Sequence, residues 1–125
     1  MTLTCPHCGK KIRLRQQYLY HAGFSNQGFL YCDSCPATLV FGSYNPNYVR
    51  IVGDKHPWML SQEEKKRVEA HLTHCHCQGR FRFEAYPRCP HCAGDLHSLL
   101  PDKMHFIAVG DVLDADQDET AWRAG

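Results

Sequence analysis

Four pairs of closely spaced cysteines constrain the fold of this chain more than any other feature. The sequence has 125 residues and eight cysteines. The cysteines form the pairs Cys5/Cys8, Cys32/Cys35, Cys75/Cys77 and Cys89/Cys92. Three pairs have the pattern C-x-x-C and the third has the pattern C-x-C. Each pair therefore fits one tight turn, which presets the distance between its two sulfurs.

The spacing between the pairs predicts two metal sites with four thiolates each. Residues 9–31 separate the first two pairs and residues 78–88 separate the last two, whereas the longer segment 36–74 lies between these groups. A tetrahedral zinc ion takes four soft ligands at about 2.3 Å. We predict two zinc ions per chain, with iron as the alternative metal. The predicted ligands are Cys5, Cys8, Cys32 and Cys35 in one site, and Cys75, Cys77, Cys89 and Cys92 in the other.

The identity of one ligand near the third pair is left open, because the C-x-C pattern of this pair departs from the usual C-x-x-C spacing. His74 and His76 flank Cys75, and either is an alternative ligand to one of the cysteines. A large apolar residue also stands four positions beyond the second cysteine of every pair, and we expect it to lie under the metal. These residues are Ile12, Leu39, Phe81 and Leu96.

The tetrapeptide CPHC, at residues 5–8 and 89–92, also suits a redox-active dithiol. A thioredoxin-type site needs a helix directly after the cysteines. Here GKKIRL follows Cys8 and alternates as a strand does, while Gly94 and Pro101 interrupt the segment after Cys92. We keep thiol redox chemistry only as a minor alternative.

The stretches CPHCGKKI, CPHCAGDL and CHCQGRFRFEAYPRCPHC resemble zinc ribbons with rubredoxin-type knuckles. The resemblance covers roughly residues 3–45 and 72–98. It implies metal and antiparallel β-hairpins, and no particular activity. We therefore expect a small α+β protein in which two zinc-ribbon-like β-hairpin units are joined by one short helix.

The predicted organisation has two parts. Residues 1–53 form an N-terminal zinc ribbon, with a short strand at Tyr48–Val52. Residues 54–125 form a helix, the C-terminal zinc ribbon and an acidic tail; packing of both parts into one compact domain is the alternative. Ser61 and Glu64 predict a capping box at the start of the helix, which should end near His74. Trp122 is expected to dock back onto the body.

Charge and aromatic residues favour a nucleic-acid interface as an alternative function. The net charge is +1, but residues 101–125 hold six acidic and two basic residues. Basic residues lie beside Tyr18 and Tyr20, or alternate with Phe81 and Phe83, an arrangement that can contact phosphates and stack on bases. The candidate basic residues are Lys10, Lys11, Arg13, Arg15, Arg80 and Arg82.

Other patterns indicate a non-catalytic, cytoplasmic protein. We find no apolar run of the length a membrane span needs and no export signal, and a reducing compartment favours metal-bound cysteines over disulfides. His71 and His74 stand outside any H-E-x-x-H motif, so we expect no catalytic metal. His7 and His91 are expected to face solvent.

The predicted function is a protein-interaction module of the adaptor, inhibitor or immunity type, whose partner is another protein. A nucleic-acid-binding zinc-ribbon factor is the first alternative. A rubredoxin-like electron carrier or thiol redox protein is the second. The sequence predicts neither the identity of the partner nor the oligomeric state.

Overall fold

The computed structural model describes residues 2–13, 16–18, 27–99 and 106–123. For residues 16–18 and 106–108 it describes only the backbone. Arg15, one of the predicted nucleic-acid contacts, lies outside the described residues. The described strands are β1 (Thr2–Thr4), β2 (Lys11–Arg13), β3 (Gln16–Tyr18), β4 (Gln27–Cys32), β5 (Thr38–Gly42), β6 (Phe81–Arg82), β7 (Phe106–Ala108) and β8 (Val112–Asp114).

These strands form three small sheets. β1 and β2 pair as an antiparallel hairpin, and β3 pairs with β7 in the same sense. The third sheet has the order β6-β4-β5-β8, in which β8 runs parallel to β5 and the other neighbours are antiparallel. The mixture of short hairpins and helices confirms the predicted α+β class.

A helix replaces the predicted strand at Tyr48–Val52, and that prediction is wrong. Helix α1 spans Pro46–Val52. Asn45 caps its first turn, with Oδ1 accepting hydrogen bonds from the backbone N–H groups of Asn47 and Tyr48. Pro46 suits the first helical position because it has no N–H to satisfy. The local capping signal therefore outweighs the β propensity of the residues that follow.

Helix α2 spans Gln62–Ala70 and begins as predicted. Ser61 Oγ accepts from Glu64 N at 3.1 Å, and Glu64 Oε1 accepts from Ser61 N at 3.0 Å. The helix ends earlier than expected, because Leu72 already pairs with Trp122 as an isolated β-bridge. In the described chain, neither helix has the length and apolar character that a membrane crossing demands.

Two separate apolar clusters make up most of the core. The larger one joins the four-stranded sheet to both helices and includes Leu39, Phe81 and Trp122. The smaller one includes Ile12 and Leu96. The four apolar residues that follow the cysteine pairs are thus all buried, and their position under a metal stays a prediction. Burying such a side chain contributes about 1.5–3 kcal/mol.

The C-terminal segment is fastened to the body by specific hydrogen bonds. Trp122 is buried, as predicted, and its Nε1 donates to Ala115 O at 3.1 Å. Asp116 accepts from Gly42 N at 2.8 Å and from Asn45 Nδ2 at 2.6 Å. At least one residue of the acidic tail therefore has a structural role.

Candidate metal centres

The eight sulfurs gather into two groups of four, but their pairing differs from the prediction. Cys5, Cys8, Cys89 and Cys92 form one group, called here the first centre, and Cys32, Cys35, Cys75 and Cys77 form the second centre. The grouping of neighbouring pairs along the chain is therefore wrong. Each centre takes one pair from either side of residue 53, and the division of the chain into domains at that residue stays a prediction.

Strand pairing explains the second centre. Cys32 is the last residue of β4 and lies opposite Phe81 of β6, which follows the third pair. This antiparallel register brings the turn after β4 beside the turn before β6. Distance along the sequence did not reveal this long-range strand pairing.

The sulfur separations match a tetrahedral site in both centres. Cys5 Sγ lies 3.7 Å from Cys92 Sγ, and Cys8 Sγ lies 3.9 Å from Cys89 Sγ. In the second centre, the Cys32–Cys77 and Cys35–Cys75 separations are both 3.5 Å. A tetrahedron with Zn–S bonds of about 2.3 Å has an edge of about 3.8 Å. A disulfide requires about 2.05 Å, so the geometry fits metal ligands.

The first knuckle shows how local sequence positions the sulfurs. Cys5 N donates to Lys10 O at 2.9 Å, and Gly9 N donates to Cys5 O at 2.9 Å, which closes a tight turn. His7 N donates to Cys5 Sγ at 3.4 Å and so stabilises negative charge on the sulfur. Gly9 has a φ of +77°, a conformation that glycine adopts without strain.

The fourth knuckle repeats these contacts. Cys89 N donates to Gly94 O, Ala93 N donates to Cys89 O, and His91 N donates to Cys89 Sγ. Ala93 takes a φ of +60° at the position that corresponds to Gly9. The repeated tetrapeptide CPHC therefore corresponds to a repeated backbone structure.

The third knuckle accommodates its C-x-C spacing by closing one residue earlier. Cys75 N donates to Gly79 O at 2.9 Å, and Gln78 takes the positive φ, at 74°. A Cβ at Gly79 would lie 2.8 Å from Cys32 Sγ, so this glycine lets the two knuckles approach. His74 and His76 are not members of the four-ligand group. His76 Nδ1 instead lies 3.6 Å from Cys75 Sγ, a hydrogen-bonding distance.

His7 and His91 form a reciprocal clasp across the first centre, which the sequence did not reveal. His7 Nε2–H donates to Asp95 O at 2.6 Å, and His91 Nε2–H donates to Lys11 O at 3.1 Å. Each carbonyl stands six residues after the first cysteine of the opposite knuckle. Both residues are exposed, as expected, but their rings tie the knuckles together. The identical position of the histidine in both tetrapeptides was the available signal.

The thiols of the first centre do not share charge equally. Burial raises the pKa of Cys5, but the N–H groups of Cys8 and His7 and hydrogen bonds with Cys89 and Cys92 lower it to about 6. For Cys92, the Gly94 N–H lowers the pKa, yet burial and the neighbouring sulfurs raise it to about 12. Cys5 therefore loses its proton more readily than Cys92, because negative charge on one sulfur disfavours ionisation of the next. A divalent cation relieves this repulsion and allows all four sulfurs to be thiolates.

The second centre has the same imbalance. Burial raises the pKa of Cys32 to about 11, and burial also raises the pKa of Cys75. Burial also opposes ionisation of Cys77, but the Gly79 N–H and the neighbouring sulfurs lower its pKa overall. Both donor sets therefore suit a cation that prefers sulfur.

An ion-pair network supports the second centre. Asp33, beside Cys32, accepts hydrogen bonds from Arg80 N and Arg82 Nε, each at 3.0 Å. Burial raises the pKa of Asp33, but the hydrogen bonds from Arg80, Ser34 and Arg82 and the charge of Arg82 lower it to about 2. The Arg82 guanidinium also lies 3.7 Å from Glu69. Arg82, a predicted nucleic-acid contact, is therefore paired with two carboxylates.

The other basic candidates among the described residues are exposed. Lys10 lies in the loop before β2, Lys11 and Arg13 lie on β2, and Arg80 precedes β6. Arg80 lines a shallow groove with Lys65 and Lys66 of α2, in which Lys65 pairs with Glu84 at 3.4 Å. Lys10, Lys11 and Arg13 do not line this groove.

A family described as Domain of unknown function (DUF8255) matches residues 1–98 of the chain, a segment that contains all eight cysteines. No curated protein and no solved structure matches the chain.

The pairing of the knuckles can be tested by counting metal in double cysteine variants. Cys8→Ser with Cys92→Ser damages one centre, so we expect about one tightly bound zinc per chain. Cys8→Ser with Cys35→Ser damages both centres, so we expect almost none. Zinc is measured with a colorimetric chelator after dialysis against a competitor of intermediate affinity. The opposite pattern, with one zinc retained only by the Cys8/Cys35 variant, would contradict the observed pairing.

Proposed function

The chain belongs to the family described as Domain of unknown function (DUF8255), and we propose that this member is a non-catalytic zinc protein whose surface binds another protein. The observation that carries the metal assignment is the tetrahedral spacing of four sulfurs in each centre. A reducing compartment such as the cytoplasm suits it, because the thiols stay available to the metal.

These donor sets favour a structural zinc site over a catalytic one. Catalytic zinc sites have three protein ligands and keep a fourth position open for water or substrate. Each centre here offers four thiolates, which closes the coordination shell. Four sulfur ligands also suit iron, as in rubredoxin-like sites, so elemental analysis must accompany every metal count.

An exposed turn supports the interaction role. Trp58 and Met59 lie in a 3-10 helix at Pro57–Met59, and their exposed fractions are 58% and 57%. Pro57 and Leu60 are buried on either side, so the turn is anchored to the body. Tryptophan and methionine are enriched in protein interfaces, and tryptophan is a frequent binding hot spot.

The His56 side chain orders this turn further. Its ring stacks on Trp58 with a centroid separation of 5.8 Å and an interplanar angle of 14°. Met59 N donates to His56 O at 2.9 Å, which closes the turn. A partner would therefore meet an indole that is already held in place, and little conformational entropy would be lost on binding.

Site-specific photo-crosslinking in the source cell tests the interaction role. Benzoylphenylalanine replacing Trp58 should give one discrete crosslinked protein, whereas the same group replacing Tyr44, which is 76% exposed, should not. Trp58→Ala should then weaken binding of the identified partner by roughly 30-fold, the effect of a hot spot of about 2 kcal/mol. Equal crosslinking from both positions, or none from either, argues against the proposal.

A nucleic-acid interface is the second candidate, and the exposed cations near the first hairpin favour it. In the described part of the chain, no ion pair neutralises Lys10, Lys11 or Arg13. Such side chains can contact phosphates without first breaking an internal pair.

A gel mobility-shift assay with single-stranded RNA or DNA and the zinc-loaded chain distinguishes the nucleic-acid interface from the protein-interaction role. If the nucleic-acid interface is present, Arg13→Gln weakens binding and reduces the salt dependence by about one phosphate contact, since each such contact releases counterions. Lys66→Gln on α2 removes one exposed positive charge elsewhere and should change affinity less. Binding that ignores salt, or that responds equally to both variants, excludes the first hairpin as the interface.

A further inference from the structure

A groove of about 280 Å³ lies between the two helices and the C-terminal segment, apart from both metal centres. α1 contributes Arg50 and Ile51, and α2 with its C-cap contributes Arg67 and His71. Trp122 and Arg123 supply the third wall. Three segments that are distant in sequence therefore each bring one arginine to the same groove.

The positive charge of this groove is poorly neutralised within the described chain. The carboxylate paired with Arg67 is that of Glu64 at 3.9 Å, and this group already accepts a hydrogen bond from Lys55 Nζ at 2.6 Å. Arg50 Nη1 donates to the neutral side chain of Asn47 at 3.3 Å. No described carboxylate forms an ion pair with Arg123. Gathering three guanidinium groups in this way favours an anion between them.

Main-chain hydrogen bonds hold the walls of the groove in place. Arg123 N donates to His71 O at 2.7 Å, and Thr73 N donates to Ala121 O at 2.9 Å. His71 Nδ1–H donates to Arg67 O at 2.8 Å, which fixes the imidazole ring at the end of α2. Nε2 remains as the second polar atom of that ring. The arginines therefore start from an ordered backbone, and binding needs little rearrangement.

We propose that this groove binds a phosphate monoester carried on a small apolar group. Guanidinium groups bind phosphate oxygens through paired hydrogen bonds, and a phosphate dianion offsets more of the local charge than a carboxylate does. Ile51 and Trp122 give the groove an apolar part beside its cations. Its volume lies near the lower end for small-ligand sites. The proposal is independent of the protein-interaction role and of the metal in either centre.

The two tryptophans make the test site-specific. Phenyl phosphate is titrated into the zinc-loaded full chain while ¹H–¹⁵N correlation spectra record both indole N–H signals, assigned with Trp58→Phe. The Trp122 signal should shift and saturate, because this indole lines the groove. The Trp58 signal should stay unchanged, because this residue lies on the separate exposed turn. Without a saturable shift at Trp122 up to millimolar ligand, the proposal is overturned.

Ligand and residue controls identify the chemistry. Inorganic phosphate and benzoate should each bind at least about tenfold more weakly than phenyl phosphate, since each lacks one of the two recognised features. Arg50→Gln, Arg67→Gln and Arg123→Gln should each weaken binding about tenfold or more, as expected for a lost charged hydrogen bond. Arg80→Gln is the matched control, because Arg80 is exposed and lines the other groove.

Arg123→Lys keeps the charge and should recover only part of the affinity, because lysine lacks the paired donors. Zinc content and the rest of each spectrum verify that every variant is folded. Equal affinity for benzoate would overturn the phosphate assignment. Equal losses in the Arg80 variant and the groove variants would overturn the location.

Discussion

The gathering of sulfurs from distant turns is the constraint on which the rest of this structure depends. Cys5 meets Cys92 across 87 positions, and Cys32 meets Cys77 across 45. The second centre lies, in sequence, inside the loop that the first one closes. Closing such loops restricts the unfolded chain, and structural zinc sites in small peptides contribute about 10–16 kcal/mol. That contribution is comparable to the whole net stability of a typical domain, about 5–15 kcal/mol.

Buried thiol groups of each candidate metal centre are part of the apolar core beside it. Cys5 and Cys89 belong to the same buried cluster as Ile12 and Leu96. Cys32 and Cys75 belong to the cluster that contains Phe81 and the helices. Each knuckle turn is followed by a chain segment that carries a large apolar side chain into its cluster. A metal bound at either centre would therefore stabilise the packing beside it.

The features that sequence reasoning predicted correctly are local. A capping box at Ser61, apolar residues at a fixed distance from each cysteine pair, and tight turns at the knuckles all depend on neighbours within a few residues. The buried position of Trp122 was also expected, since a large aromatic residue near a terminus gains from burial. The helix at Pro46–Val52 was equally readable, because asparagine followed by proline marks a helix start.

Apart from the helix at Pro46–Val52, where a strand was predicted, the errors concern long-range organisation. Pairing neighbouring knuckles assumed that short separation decides the ligand set, but the register between β4 and β6 decides it in the second centre. The clasp between His7 and His91 appears only when the first and fourth knuckles face each other. The arginine groove likewise needs the C-terminal segment to lie against both helices. These contacts arise from chain topology, which local patterns and spacing do not specify.

Titration of the metal-free chain with zinc tests the central claim most directly. Near-ultraviolet circular dichroism reports the packing of Trp122 and the other buried aromatic residues, and a thiol reagent counts free cysteines at each point. We expect a metal-free chain with eight reactive thiols and little aromatic signal, and full recovery of that signal at two zinc equivalents. A metal-free chain that keeps its complete aromatic signal while all eight thiols react would contradict the account.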